Sequence, residues 1–359
     1  RRGSWAEVRA VRRRHILVGL AAAAAASALV APAGAASHSS AALPSAVKGG
    51  LPVPVVRTIA VGSNPSDVEI SQRLRQVFVL NDGSISVVSL ATKKQIAEFG
   101  TATFHRNSNL ALVRNDTWGY VTNFGRKDVT VVDLRSQKVN GHILIGAPTT
   151  WVTTARTGLG ERAFVSMLFP RVFIVSTATS KVIKRIVVPE PIQTLTTRPG
   201  NVEVWGAGLQ TGNIYVLNTA TGRLTRTITL NQVGPASSIA FTSTGRSAWV
   251  AGPGGVAALS ATTGKVLAFI PAGSIFSGSV NTGSVAITPA NSYAVVENST
   301  FPDAPVRGTI ALISTRSFKV AGRVPVGIEP IGLAIDPVTS TAYVPNYAVD
   351  TMSYFAVPR

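Results

Sequence analysis

The chain of 359 residues contains no cysteine. That excludes a disulfide scaffold, a thiolate zinc site, a thiol nucleophile and a lipid-modified cysteine anchor. Acid is scarce: 16 Asp+Glu stand against 34 Lys+Arg, a formal net charge of +18. Charged residues are only 14% of the chain and hydrophobic residues 45%, too apolar a balance for a disordered polyelectrolyte. After the N-terminal stretch no run reaches 18 uninterrupted apolar residues, so no later membrane span is expected. What is plentiful is Gly (32) and Pro (21), set among many Val, Ile and Thr, which favours strands and turns over helices. The positive excess suits an anionic partner (nucleic acid, acidic polymer or membrane surface), depending on where the charges sit.

Part of that charge is an address. Residues 1–14 hold six arginines, ending in Arg12-Arg13-Arg14, and an apolar run from Ile16 to Val30 follows. Small residues with the Ala-x-Ala pattern Ala33-Gly34-Ala35 come next. This is the order of an export signal over residues 1–35. The stretch Arg13-Arg14-His15-Ile16-Leu17 resembles a twin-arginine signal; general secretion and a retained helical anchor are the alternatives. Cleavage after Ala35 would remove the six arginines and Glu7 and lower the net charge from +18 to +13. Residues 36–52, rich in Ser, Ala, Gly and Pro, read as a flexible linker.

The rest repeats. A β-type run recurs at Ile85, Val129, Val172, Ile214, Val256, Ile310 and Met352, with spacings of 44, 43, 42, 42, 54 and 42. An aromatic-containing run precedes most copies, as at Phe78-Val79, Tyr120-Val121, Phe164-Val165, Trp249-Val250 and Tyr343-Val344. Each unit contains about four short strands, here termed A to D, and no helical period. That is the period of a propeller blade. The last unit lacks a D strand, while Val55–Val61 is a spare one, so their pairing should close the ring and remove an exposed edge. The expected fold is all-β, a seven-bladed β-propeller of four-stranded blades over residues 53–359, closed by the N-terminal strand completing the last blade.

Tyr120-Val121-Thr122-Asn123 spells the signature of the YVTN β-propeller repeat family, and Val61-Gly62-Ser63-Asn64-Pro65 resembles that family's approach to strand A. Ile335-Asp336-Pro337 through Tyr343-Val344-Pro345-Asn346 is a second good copy; blades three and four lack the Asn after strand B. The resemblance implies a secreted or cell-surface propeller, a class often without assigned activity.

Candidates for chemistry are few. His15 and His38 lie in the signal and linker, His105 in a D-to-A loop and His142 beside a D strand, with no metal-ligand spacing. Asp133 and Asp336 sit where turn carboxylates accept backbone N–H bonds. Asn81, Asn123, Asn298 and Asn346 close B strands and read as turn caps. The Gly-rich segments Gly252–Gly255 and Gly278–Gly283 lack the Lys-Ser/Thr and helix of a phosphate loop. No catalytic residue, metal site or cofactor is therefore assigned. A lactonase- or lyase-like propeller hydrolase is the enzymatic rival, without its His/carboxylate cluster.

Two features suggest binding. The one long spacing places extra residues between strands B and C of blade six, where Phe301, Asp303 and Arg307 offer an apolar contact and both charge signs. The second feature is a basic face. Turns A–B and C–D must share one side of the ring, and they carry Arg73, Arg75, Lys93, Lys94, Lys138, Arg156, Lys181, Arg198, Arg223, Arg246, Lys265 and Lys319. Arg114 and Arg162 add to them, against Asp116 and Glu161. The opposite side is nearly balanced, with Asp82, Arg126, Lys127, Asp128, Arg171, Glu297, Asp303, Arg307 and Asp350. The reading is an exported, monomeric binding or scaffold module at the cell envelope or outside the cell. Its partner would be a protein or an anionic polymer, and nucleic acid and anionic lipid headgroups fit the same charge.

Overall fold

Runs of Val, Ile and aromatic residues broken by Gly-, Asn- and Thr-rich turns favour short antiparallel strands. The computed structural model describes residues 50–100, 107–276, 281–299 and 307–358, all within the unit Pro44–Arg359. Among these residues lie seven four-stranded antiparallel sheets. Blade one runs Asp67–Ser71, Gln76–Leu80, Ile85–Ser89 and Gln95–Phe99, paired in chain order. Five further blades repeat that order. The seventh joins Ala334–Ile335, Thr341–Asn346 and Thr351–Ala356 to the N-terminal strand Arg57–Ala60. Arg57 pairs with Tyr354 and Ala60 with Thr351, so the ring closes on hydrogen bonds between the two ends of the propeller. The A strands of neighbouring blades touch one another and are therefore innermost. The fold is a seven-bladed β-propeller.

The core is not a single mass. The buried apolar residues fall into seven clusters, each shared by two neighbouring blades. Phe78 and Leu80 of blade one, for instance, pack on Leu110 and Val121 of blade two. Each blade is covered on both faces, so its C strand is buried almost end to end, as in Ile85–Val88. This is why the C runs read as continuous apolar stretches rather than alternating ones. Of the B-column aromatics, Phe78, Tyr120, Phe164, Trp205, Trp249 and Tyr343 are all fully buried between blades and supply large packed area.

The repeat signature has a steric explanation. Asn81 Nδ2 donates to Ser84 and Ser86 hydroxyls at 3.1 and 2.9 Å, and Asn346 Nδ2 donates to Thr351 and Ser353 at 2.9 and 3.0 Å. Each ties the end of strand B to the start of strand C. The segment arriving from the previous blade crosses directly over this amide, and there it carries glycine: a Cβ on Gly62 would overlap Asn81, and one on Gly327 would overlap Asn346. Blades four and five reverse the arrangement. Gly208 ends strand B and the arriving Glu190 fills the space; Gly252 ends strand B and a Cβ there would lie 2.8 Å from Val233. Glu190 then does the tying, accepting bonds from Gln210 N at 2.7 Å, Thr211 N at 3.1 Å and the Tyr215 hydroxyl at 2.9 Å.

Blade six departs from expectation in one respect. Its B–C connection is long, between Tyr293–Ser299 and Arg307–Ser314. Part of the extra length, however, falls in the connection after blade five, where Ala272–Ile275 forms one helical turn. A repeat spacing measured between C strands sums both connections and cannot divide them.

Candidate functional site

In every blade a backbone N–H at the end of strand C donates to a carbonyl of the A–B turn: Leu90 to Arg75, Leu134 to Thr117, Thr177 to Glu161, Thr219 to Val202, Ala261 to Arg246, Thr315 to Ser292 and Val357 to Ser340. The A–B and C–D turns of each blade thus lie side by side, on one face of the ring. The cations of that face divide into two kinds.

The first kind is spent on structure. The Arg114 guanidinium reaches from blade two to Thr177 O at 2.6 Å and Ser180 Oγ at 3.2 Å of blade three, and lies 4.5 Å over the Trp118 ring. Arg162 donates to Thr219 and Ala220 carbonyls of blade four at 3.2 and 2.7 Å. Arg198 and Arg226 both reach Ala261 O of blade five, at 3.4 and 2.9 Å. Arg198 also pairs with Glu203 at 2.9 Å. Lys93 is half-buried, donating to the Tyr343 hydroxyl across the blade seven–blade one seam, and burial lowers its pKa. Arg156 is exposed but reaches Asn115 Oδ1 at 3.3 Å and Glu161 at 3.6 Å. Lys93, Arg156 and Arg198, read from the sequence as open face charges, thus already have partners. Turn carbonyls left free by the hairpins attract the nearest long cationic side chain.

The second kind is free. Arg73, Arg75, Lys94, Lys138, Lys181, Arg223, Arg246, Lys265 and Lys319 are exposed, and their charged groups make no hydrogen bond or ion pair with the described residues, though Arg73 acts electrostatically on Asp116. Six of these nine begin the outer strand or immediately precede it. Lys94, Arg223, Lys265 and Lys319 accept, through their carbonyls, the N–H of the last C-strand residue; Lys138 and Lys181 pair with the equivalent residues Asp133 and Ser176. The result is one rim cation per blade in blades one to six.

On the other face, Asp128 is buried against Arg126 at 3.0 Å and His142 at 3.5 Å. His142 lies within the outer strand Lys138–Leu144 rather than beside it. Arg307 is exposed and borders a cavity of about 360 Å³ with Val56, Thr58, Pro325, Val349 and Thr351. Phe301, Asp303 and His105 lie outside the described residues. Asp133 and Asp336 accept turn N–H groups, from Arg135 at 2.9 Å and Val338 at 2.8 Å, which holds both carboxyls below their ordinary pKa despite partial burial. Among the described residues no group of three His, Asp or Glu is placed to hold a metal ion.

Sequence reasoning missed two acids, Asp67 and Glu69, and read a third, Glu297, as an open charge of the opposite face, whereas the structure buries it. Asp67, on the inner strand of blade one, accepts Leu110 N at 2.8 Å and Asn109 Nδ2 at 3.0 Å, and burial pushes its pKa up to about 6. Glu69, two residues on, is raised well above the carboxylate range by burial, then by Asp67 and Asp116. Glu297 is 1% exposed and is raised to about 8 by burial. A signal existed. Glu69 stands where the other blades have Ala111, Thr153, Thr196, Ala240, Ala286 and Ala334, and Glu297 where they have Leu80, Thr122, Ser166, Ala207, Ala251 and Pro345. A column-by-column alignment of the inner strands exposes such single departures.

No protein-family model and no curated protein sequence matches this chain. Among solved structures, a chain of Kuenenia stuttgartiensis hydrazine synthase is similar, with a TM-score of 0.72 and 16% identity over 82% of this chain and 96% of that one. At this identity the likeness concerns the fold alone.

Proposed function

We propose that the chain is an exported, non-enzymatic binding module that engages an anionic partner through the face formed by its A–B and C–D turns. The observation that carries this reading is the set of nine exposed cations with no hydrogen-bond or ion-pair partner among the described residues, six of them arrayed at the blade period around that face. Charges kept only for folding would be spent as Arg114, Arg162 and Arg198 are. The N-terminal pattern over residues 1–35 and the resemblance to YVTN repeats support export and a place at the cell envelope. Binding of this kind is salt-dependent, because each neutralised anionic group releases condensed counterions.

The test is retention of the protein on immobilised inorganic polyphosphate across a salt series. Retention at physiological salt, with a logarithmic slope that shrinks by about 0.7 for each rim cation replaced by alanine, is the expected result. Elution with neutral proteins at low salt would overturn the proposal.

A further inference from the structure

The free cations do not stand alone. The same face exposes large apolar side chains at the tips of its turns: Leu159 in blade three at 72% exposure, Val338 in blade seven at 63% and Val202 in blade four at 54%. Around the rim, exposed apolar residues follow the free cations within two positions: Ile96 after Lys94, Ile183 after Lys181, Leu224 after Arg223, and Val266 and Leu267 after Lys265. A soluble polyanion gains nothing from Leu159 or Val338, and an exposed apolar tip is unfavourable in water. An anionic bilayer rewards both features at once. Headgroups attract the cations, the lysine and arginine stems lie along the interface with their charges in the headgroup layer, and the apolar tips leave water for the acyl boundary. The opposite face also exposes Leu144, Phe169 and Val187, but its charges are nearly balanced, and Asp128 there pairs with Arg126 at 3.0 Å.

We infer that this face docks flat on an anionic lipid surface, with Leu159, Val202 and Val338 entering the headgroup–acyl boundary and the rim cations holding the headgroups. The inference rests on the anionic-partner reading above and narrows it to a lipid bilayer. The turns of all seven blades lie on one side, so a planar partner meets tips and rim together, whereas a single polymer strand crossing the ring meets only a few. Each cation near the surface contributes about a five-fold gain in partitioning, so the triple variant K94A/K181A/K265A should bind about 100-fold more weakly.

The absence of cysteine makes the test direct. Leu159→Cys, Val338→Cys and, on the opposite face, Phe169→Cys are each introduced into the full chain and labelled with an environment-sensitive fluorophore. The labelled proteins are mixed with vesicles of phosphatidylcholine, or of equimolar phosphatidylcholine and phosphatidylserine. The expected result is a blue shift at 159 and 338 on the anionic vesicles only, no shift at 169, and loss of the shift in the triple-alanine background. Because all variants share the same N-terminal apolar run, membrane affinity of that run cannot produce a difference between positions. A label at 159 that stays in water, or one at 169 that is buried, overturns the inference. If the label at 159 stays in water while the chain is still retained on polyphosphate, the lipid inference falls and the anionic-partner reading stands. If neither partner binds, both fall.

Discussion

The seams joining blades two to five are held differently from those around the closure. Between blades two and five, guanidinium groups of one blade donate to turn carbonyls of the next, through Arg114, Arg162, Arg198 and Arg226. These side chains are part-buried, those of Arg198 and Arg226 at 18% and 24% exposure. Between blades six, seven and one, the devices are the Asn–Gly interlocks at Gly327/Asn346 and Gly62/Asn81 and the shared strand Arg57–Ala60. This sector also holds a buried acid that pairs with no cation among the described residues: Glu297 accepts the Ser284 N–H at 3.3 Å. Neighbouring blades of one repeat thus reach the same packing by unlike means, because each seam needs only complementary volume and satisfied backbone groups.

The largest expected effect separates the sectors by pH. Glu297 has a folded-state pKa of about 8 against an ordinary 4.5. Raised in the folded state, it contributes stability below its unfolded value, and that contribution is lost as pH rises through the folded value. Glu297 alone should account for a loss on the order of 4 kcal/mol of unfolding free energy between pH 5 and 8. Urea denaturation across that range checks it, and Glu297→Gln should make the slope shallower by that share, the raised Asp67 and Glu69 keeping theirs. Equal slopes in the two proteins would remove the distinction.

The interlock can be moved from one sector to the other. Gly208→Asn alone meets Glu190, and Glu190→Gly alone leaves Gln210 N and Thr211 N without their acceptor; each should cost about 2–3 kcal/mol. The double variant copies blade one, and its cost should fall below the sum of the singles by at least ~1 kcal/mol. Strict additivity in a double-mutant cycle would show that the two positions do not share one space.

The two kinds of cation give the smaller contrast. Arg198→Ala removes bonds to Gly245 O at 2.8 Å, Ala261 O and Glu203, and should cost about 2 kcal/mol. Lys265→Ala, a free rim charge on the same face, should change stability by less than about 0.5 kcal/mol. Similar losses for both would mean that the rim cations are structural, against their proposed role in binding.

The fold was legible because its cause is local and repeated. The C runs are uninterrupted, the 42–44-residue period recurs, and Val55–Val61 is a D-like run without a partner nearby. The observed strand Arg57–Ala60 is shorter, and upstream of it Leu51 N bonds Ala321 O on the edge of blade six. The candidate face was legible only in part. Turn alternation placed Lys93, Arg156 and Arg198 with the free cations, but which carbonyl lies within a side chain's reach depends on the neighbouring blade. Trp205 shows the same limit: its column predicts packing, and its Nε1–H bond to Glu203 at 3.0 Å stays within one strand, but the edge contact with Phe241 at 5.1 Å arises across blades.

The sequence by itself determined the period, the strand order within each blade, the closure and the sidedness of the charge, because alternation and repetition are properties of the chain. Only the tertiary structure decided which cations are spent as staples and which acids are buried. It alone also decided that Leu159, Val202 and Val338, at turns on the face of the free rim cations, stand exposed. Those outcomes depend on distances between residues some 40 positions or more apart, which the packing of one blade against the next sets.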